Sequence, residues 1–183
     1  AYELLGKARE LADKVGCKVC LLLIGNHLNQ NLEDFFHYGA DTIFLYDHPI
    51  LEDFQVERYA GIMEDYVAKQ KPSVILIGGT PSGRSLAPRI AARLKTGLTA
   101  DCTQLDMQPN SDLDQIRPAF GGNIMAHIRT PYHRPQFATV RYKIFSAMEP
   151  DLSRKGDLIF CALPEKLQCR SRQLEIGIKP KIK

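Results

Sequence analysis

Three groups of residues in this chain have the types and spacing to do chemistry. The first is a glycine turn, Gly78-Gly79-Thr80-Pro81-Ser82-Gly83, followed by Arg84 and Ser85. Gly78-x4-Gly83-Arg84-Ser85 differs at one position from the phosphate-binding pattern G-x4-G-K-[ST], with arginine in place of lysine. Glycines let backbone N–H groups approach a phosphate, and a helix N-terminus adds partial positive charge. The same residues also suit a tight strand-to-helix turn, with Ser85 as the cap and Pro88 in the first helical turn. On spacing, these two readings stand level. Nucleotide hydrolysis stands well below them, because it also needs an acidic magnesium ligand and a true lysine.

The second group is Arg117-Pro118-Ala119-Phe120-Gly121-Gly122-Asn123-Ile124-Met125-Ala126. Its paired glycines, Gly121 and Gly122, allow either a bend at a strand crossing or close approach by another backbone or a ring. The third runs from Thr130 to Arg141 and holds Tyr132, His133, Arg134, Gln136 and Arg141 around two prolines. Taken alone, it reads as an exposed loop with solvated charges.

Other chemistries find little support. The five histidines, His27, His37, His48, His127 and His133, show no H-x3-H or H-E-x-x-H pairing, so no metal is expected. The serine-nucleophile pattern G-x-S-x-G is absent. Asp101 and Asp106 lie on an extended segment at a spacing that puts them on opposite faces, which argues against an acid–base pair. Cys17-Lys18-Val19-Cys20 has C-x-x-C spacing, but Cys17–Ile24 reads as a strand and no second pair completes a zinc site. No catalytic residue is expected.

The elements that position these groups follow from periodicity. Leu4, Leu5, Ala8, Leu11, Ala12 and Val15 fall at helical spacing, and Gly16 ends that helix. Apolar runs at Val19–Ile24, Thr42–Tyr46, Val74–Ile77 and Leu98–Cys102 read as strands. Helices are expected from Asn29 to Tyr38, from Val56 to Gln70 and from Arg84 to Lys95, and Lys71-Pro72 ends the second. This α-β alternation calls for right-handed crossovers and a parallel sheet, in which ligands sit beyond the strands' carboxyl ends. A helix that opens such a domain normally follows a strand, so a strand is expected before Ala1. After Cys102 the pattern changes. Gln108-Pro109-Asn110-Ser111-Asp112 is turn-rich. Ile116–Phe120, Ile124–Ile128, Phe137–Val140 and Leu158–Ala162 read as short strands, many of them antiparallel, and Leu174–Ile178 as a last one. The fold class is therefore α/β. An open, mostly parallel, Rossmann-like sheet with flanking helices carries a β-rich second half, all within one domain over residues 1–183.

Composition sets the outer bounds. A chain of 183 residues with 44% hydrophobic and 25% charged residues is ordinary for a globular domain. A net charge of +3 with dispersed basic residues does not point to nucleic acid. No apolar run approaches the ~20 residues that cross a bilayer. Five cysteines, an odd number without framework spacing, suit structural thiols in a reducing cytoplasm.

From about Glu3 to Phe145 the chain resembles the electron-transfer flavoprotein α-subunit. The most specific stretches are Gly83-Arg84-Ser85-Leu86-Ala87-Pro88-Arg89, Thr96-Gly97-Leu98-Thr99-Ala100-Asp101-Cys102-Thr103 and Gly121-Gly122-Asn123-Ile124-Met125-Ala126. Arg134-Pro135-Gln136 through Thr139-Val140-Arg141 resembles the version found in electron-bifurcating members. The resemblance implies an electron-carrier subunit in a heterodimer with a β-subunit, serving an acyl-CoA dehydrogenase or similar flavin dehydrogenase. It implies FAD in the complete heterodimer, held mainly by a separate C-terminal domain whose motif is absent here, so this chain alone is not expected to hold FAD. It implies that Arg117, Gly121, Gly122, Asn123, Arg134, Gln136 and Arg141 help form the β-subunit's flavin pocket. An arginine near a flavin ring favours its anionic reduced form. The alternative from another class is a nucleotide-binding regulatory domain of the universal-stress type, using Gly78–Ser85.

Overall fold

The computed structural model describes residues 1–165 together with Leu167, Cys169 and Gly177. The elements run α1 (Tyr2–Asp13), β1 (Cys20–Gly25), α2 (Glu33–His37), β2 (Thr42–Asp47), α3 (Val56–Gln70), β3 (Val74–Gly78), α4 (Pro81–Arg93), β4 (Leu98–Cys102), β5 (Gln104–Met107), β6 (Leu113–Ala119), β7 (Ile124–Ile128), β8 (Gln136–Val140) and β9 (Asp157–Phe160). The expected Leu174–Ile178 strand lies outside the described residues.

Each helix has an identifiable stop. Lys71 takes left-handed angles (φ 47°) and its N–H bonds the Val67 carbonyl before Pro72 forbids continuation. α2 is shorter than expected because Asn31 is left-handed (φ 54°), so the helix starts only after it. β1 begins at Cys20, which leaves Cys17 outside the strand, and both thiols are free and exposed.

The largest departure is at the glycine turn. α4 begins at Pro81, not at Arg84. Thr80 is its cap, its hydroxyl accepting from Gly83 N at 3.1 Å, and Pro81 holds the first helical position. Ser85 is therefore not the cap, and Pro88 sits in the helix interior rather than its first turn.

Two parallel sheets and one antiparallel sheet result. In hydrogen-bonded order they are β1-β2-β9, β3-β8-β4 and β5-β6-β7. β2 pairs β1 through Thr42↔Cys20 to Asp47↔Gly25, and β8 lies between β3 and β4. Of the four strands expected in the second half that fall among the described residues, the two in the Arg117 hairpin are antiparallel. β8 and β9 instead join the parallel sheets. All five residues of β8 are buried, the signature of a strand covered on both faces.

Helices cover both faces of the parallel sheets. On one, α1 buries Leu5 and Ala12 with Ile43 and Leu45, and Leu11 with Ala138 and Val140. On the other, α3 and α4 bury Ala60, Met63, Leu86, Ile90 and Ala91 with Phe137.

Candidate functional site at the carboxyl edge of the sheet

The carboxyl ends of β3, β4 and β8 converge. Gly79 N donates to the Val140 carbonyl, and a Cβ on Gly79 would lie 2.9 Å from that oxygen and 3.5 Å from Arg141 Cα. Glycine is thus required where the β3 exit passes the β8 exit. Arg84 bridges this edge: its Nε donates to the Gly79 carbonyl at 2.9 Å, and its guanidinium pairs with Asp101 at 3.0 Å. Asp101 is left-handed (φ 59°), and its N–H bonds Thr139 Oγ1 at 2.9 Å.

This geometry removes the phosphate-cradle reading. A phosphate loop needs residues 78–83 as loop, but the last three are helix. A Cβ on Gly83 would meet the Gly78 carbonyl oxygen at 2.0 Å, so this glycine serves close helix–strand packing. Arg84 is committed to the protein's own backbone and to Asp101.

The antiparallel sheet stands beside this edge. Cys102, at the end of β4, is registered against Val140, the residue before Arg141. Burial pushes the Cys102 thiol up to about 11, while the Arg117 charge pulls it the other way. Arg117 and Arg141, far apart in sequence, are therefore both tied to the β4–β8 edge. Neither guanidinium has a hydrogen-bond or ion-pair partner among the described residues. Gly121 and Gly122 form the turn between β6 and β7 with φ of 71° and 94°, and Asn123 follows them, exposed. This turn is a bend at a hairpin tip with open space around both glycines.

Arg134 and Gln136 are placed differently. Arg134 donates to the carbonyls of Thr130, Pro131 and His133 and pairs with Asp112 at 2.7 Å. Gln136 is fully buried; its Oε1 accepts from Leu113 N at 2.8 Å and its Nε2 donates to the Ser111 carbonyl at 3.0 Å. Together they fasten the loop before β8 to the β5–β6 turn. Asp101 pairs with Arg84 and Asp106 with Lys14, so these two carboxylates act separately.

Two features had no clear sequence signal. One is Asp114, buried, with His127 Nδ1 at 3.0 Å and Arg129 Nε at 3.4 Å. Burial alone would raise its carboxyl, but His127 and Arg129 outweigh it and hold it below the usual range. The other is an exposed apolar surface on the β6–β7 hairpin: Phe120 is 84% exposed, and Ile124, Met125 and Ile128 are exposed with it. Tyr132 and Tyr142 are also exposed, on the segments flanking β8. Ile124 and Ile128 point to one face of β7 and Met125 to the other, so both faces of this strand are exposed. Among the described residues no cluster of three or more metal-ligating side chains occurs. No helix there is long and apolar enough to cross a membrane.

Fold and site thus define an α/β domain whose arginine-bearing carboxyl edge lies beside an antiparallel sheet with an apolar exposed surface. The chain belongs to the electron transfer flavoprotein family, whose domain model matches residues 1–165. It is 57% identical over 157 residues to the lactate dehydrogenase (NAD(+),ferredoxin) subunit LctC of Acetobacterium woodii, covering 86% of this chain and 38% of that protein. It is 45% identical over 182 residues to the electron transfer flavoprotein subunit alpha of Thermoanaerobacterium thermosaccharolyticum, covering 99% of this chain and 55% of that protein. With the corresponding subunit of Megasphaera elsdenii, identity is 44% over 160 residues, 87% of this chain and 47% of that protein. The chain thus spans about half the length, or less, of these relatives and is of the α-subunit type.

Proposed function

We propose that this chain is the part of an α-type subunit that packs on a β-subunit and completes one wall of its flavin pocket. The observation that carries this reading is the pairing of two uncommitted guanidiniums, Arg117 and Arg141, with the exposed apolar hairpin surface at Phe120, Ile124 and Met125. An apolar surface of this kind marks an interaction site, and a permanently charged guanidinium suits an anionic ring. Gly121, Gly122 and Asn123 form the hairpin tip where a partner's backbone can approach. Arg134 and Gln136 support that wall from behind by anchoring the loop before β8.

Bound flavin supplies one- and two-electron chemistry. FAD belongs to the complete heterodimer and is not held by this chain alone. Residues 1–183 act as a single domain in the cytoplasm and carry no catalytic group. The complex passes electrons between a flavin dehydrogenase, such as an acyl-CoA dehydrogenase, and an acceptor. The ferredoxin-linked name of the Acetobacterium woodii relative supports an electron-bifurcating type. The helical start at Pro81 weighs against the universal-stress alternative.

The test replaces Arg117, Arg134 and Arg141 singly by alanine in the complete heterodimer and titrates the flavin of the β-subunit. One charge at short range under moderate screening is worth about 4 kcal/mol. For a two-electron couple ~1.4 kcal/mol corresponds to ~30 mV. After discounting for solvent, Arg117→Ala or Arg141→Ala shifts the potential by tens of millivolts. Unchanged potentials and normal FAD binding in all three variants would overturn the reading.

A further inference from the structure

Three arginines and Asp101 meet at the carboxyl edge. Arg84 comes from α4, Arg117 from β6 and Arg141 from just past β8, while Asp101 lies near the end of β4. A second carboxylate nearby, Glu3 at the start of α1, accepts the Lys143 N–H. Asp101 stands beside both uncommitted arginines. Its N–H bonds Thr139 Oγ1, two residues before Arg141, and the adjoining Cys102 is registered against Val140. The buried Cys102 thiol feels Asp101 and Arg117 with opposite signs. Yet among the described residues Asp101 pairs with neither arginine. Its ion pair is with Arg84, at 3.0 Å.

The backbone is bent to make that choice. The register of β4 on β8 shifts between Thr99 and Cys102, and Asp101 is left-handed with φ 59°. A bulge of this kind re-aims a side chain at the end of a strand. A left-handed residue other than glycine persists only where its surroundings hold it. Here Thr139 holds the Asp101 N–H and Arg84 holds the carboxylate. Arg84 is itself fixed from its other side, by the Nε bond to the Gly79 carbonyl.

The pair is asymmetric. The Arg84 side chain is half exposed, whereas Asp101 Oδ1 is shielded from solvent. That oxygen has no aligned hydrogen bond among the described residues, so the Arg84 charge is what balances it. A shielded carboxylate that loses its cation is costly. Without Arg84, Asp101 must turn to another guanidinium, and the two free ones at this edge are Arg117 and Arg141. The edge would then carry one cation fewer, and one of the remaining two would be bound.

We propose that Arg84 is the counter-ion that keeps Asp101 away from Arg117 and Arg141, leaving both guanidiniums free for the flavin of the β-subunit. Arg84 and Asp101 are positioning residues that act through the other two arginines rather than on the ring. As a unit the pair is neutral, so the field at the edge is that of the two free arginines. Reduction places negative charge on the flavin, and that field sets how strongly the reduced form is held. This inference rests on the flavin-wall reading of Arg117 and Arg141 given above.

Redox titration of the β-subunit's flavin in the complete heterodimer tests it. Arg84→Gln should weaken binding of the anionic reduced form relative to the oxidised one about tenfold, a fall of ~30 mV for a two-electron couple. Asp101→Asn should strengthen it by about as much, because Arg84 is then unpaired, and asparagine tolerates the left-handed backbone. The double variant, neutral again, should return to within about threefold of the parent. A bridge that merely held the edge together would behave otherwise. Both single variants would then shift the potential in the same direction, and the double variant would be no closer to the parent. That result overturns the inference. So does an unmoved potential in both single variants while Arg117→Ala or Arg141→Ala shifts it, an outcome that leaves the flavin-wall reading standing. Parent-like potentials in every variant remove that reading and the inference with it. If Arg84→Gln does not assemble, Asp101→Asn decides alone, and a potential that falls or stays unchanged overturns the inference.

Discussion

Two buried glutamines should respond to the same substitution with opposite signs. Gln136 and Gln115 are both fully inaccessible to solvent. The Gln136 amide is satisfied at both ends by backbone, Leu113 N and the Ser111 carbonyl. The Gln115 amide has no partner at either end among the described residues. Replacing Gln136 by leucine strands the buried Leu113 N–H and removes a second bond. Each buried group left unsatisfied costs about 1–3 kcal/mol, so the loss should be roughly 2–4 kcal/mol. Replacing Gln115 by methionine removes two unpaired polar atoms at nearly constant volume and should be neutral or stabilising by about 1 kcal/mol. In a chain of this size 1 kcal/mol moves the midpoint by about 2–4 °C. Thermal unfolding should thus show Gln136→Leu melting roughly 4–16 °C lower and Gln115→Met at or slightly above the parent. If Gln136→Leu melts with the parent, Gln136 is not a structural fastening and its burial needs another explanation.

Gly83→Ala should destabilise by roughly 2–4 kcal/mol, because its Cβ would overlap the Gly78 carbonyl oxygen; urea unfolding reads this, and a parent-like midpoint would contradict the α4–β3 packing. The lowered Asp114 carboxyl makes a stability contribution that is complete above the ordinary carboxylate range and is lost as pH falls through the lowered value. Asp114→Asn should therefore flatten the acid limb of the stability–pH profile, and an identical limb in both proteins would count against the His127–Asp114–Arg129 cluster. Cys102, held up to about 11 by burial, should resist alkylation at pH 8 in the native state while exposed Cys17 reacts, as peptide mass mapping would show. Equal labelling of the two would mean that the β4–β8 edge is open.

Local pattern was sufficient for the helix–strand alternation up to Cys102. Val56–Gln70 is bounded by its own periodicity and by Lys71-Pro72, and Leu98–Cys102 by its apolar run, because both signals lie within a few residues of the element they define. The α-subunit resemblance was equally legible, since it rests on contiguous motifs. Strand direction was not. Phe137–Val140 reads as one more strand in a β-rich tail, yet it is the buried centre of a parallel sheet, because direction belongs to the partners and not to the strand. The start of α4 also depended on context. Gly83 fits a loop or a helix equally well, and the Gly78 carbonyl behind it makes the close helix possible. The arginines show the same division. Their identity marks a site in the sequence, but only folding binds Arg134 to Asp112 and to three carbonyls while leaving Arg117 and Arg141 without partners. The three carbonyls lie within four residues of Arg134, but the pair with Asp112 joins positions 22 residues apart, and no local spacing encodes it.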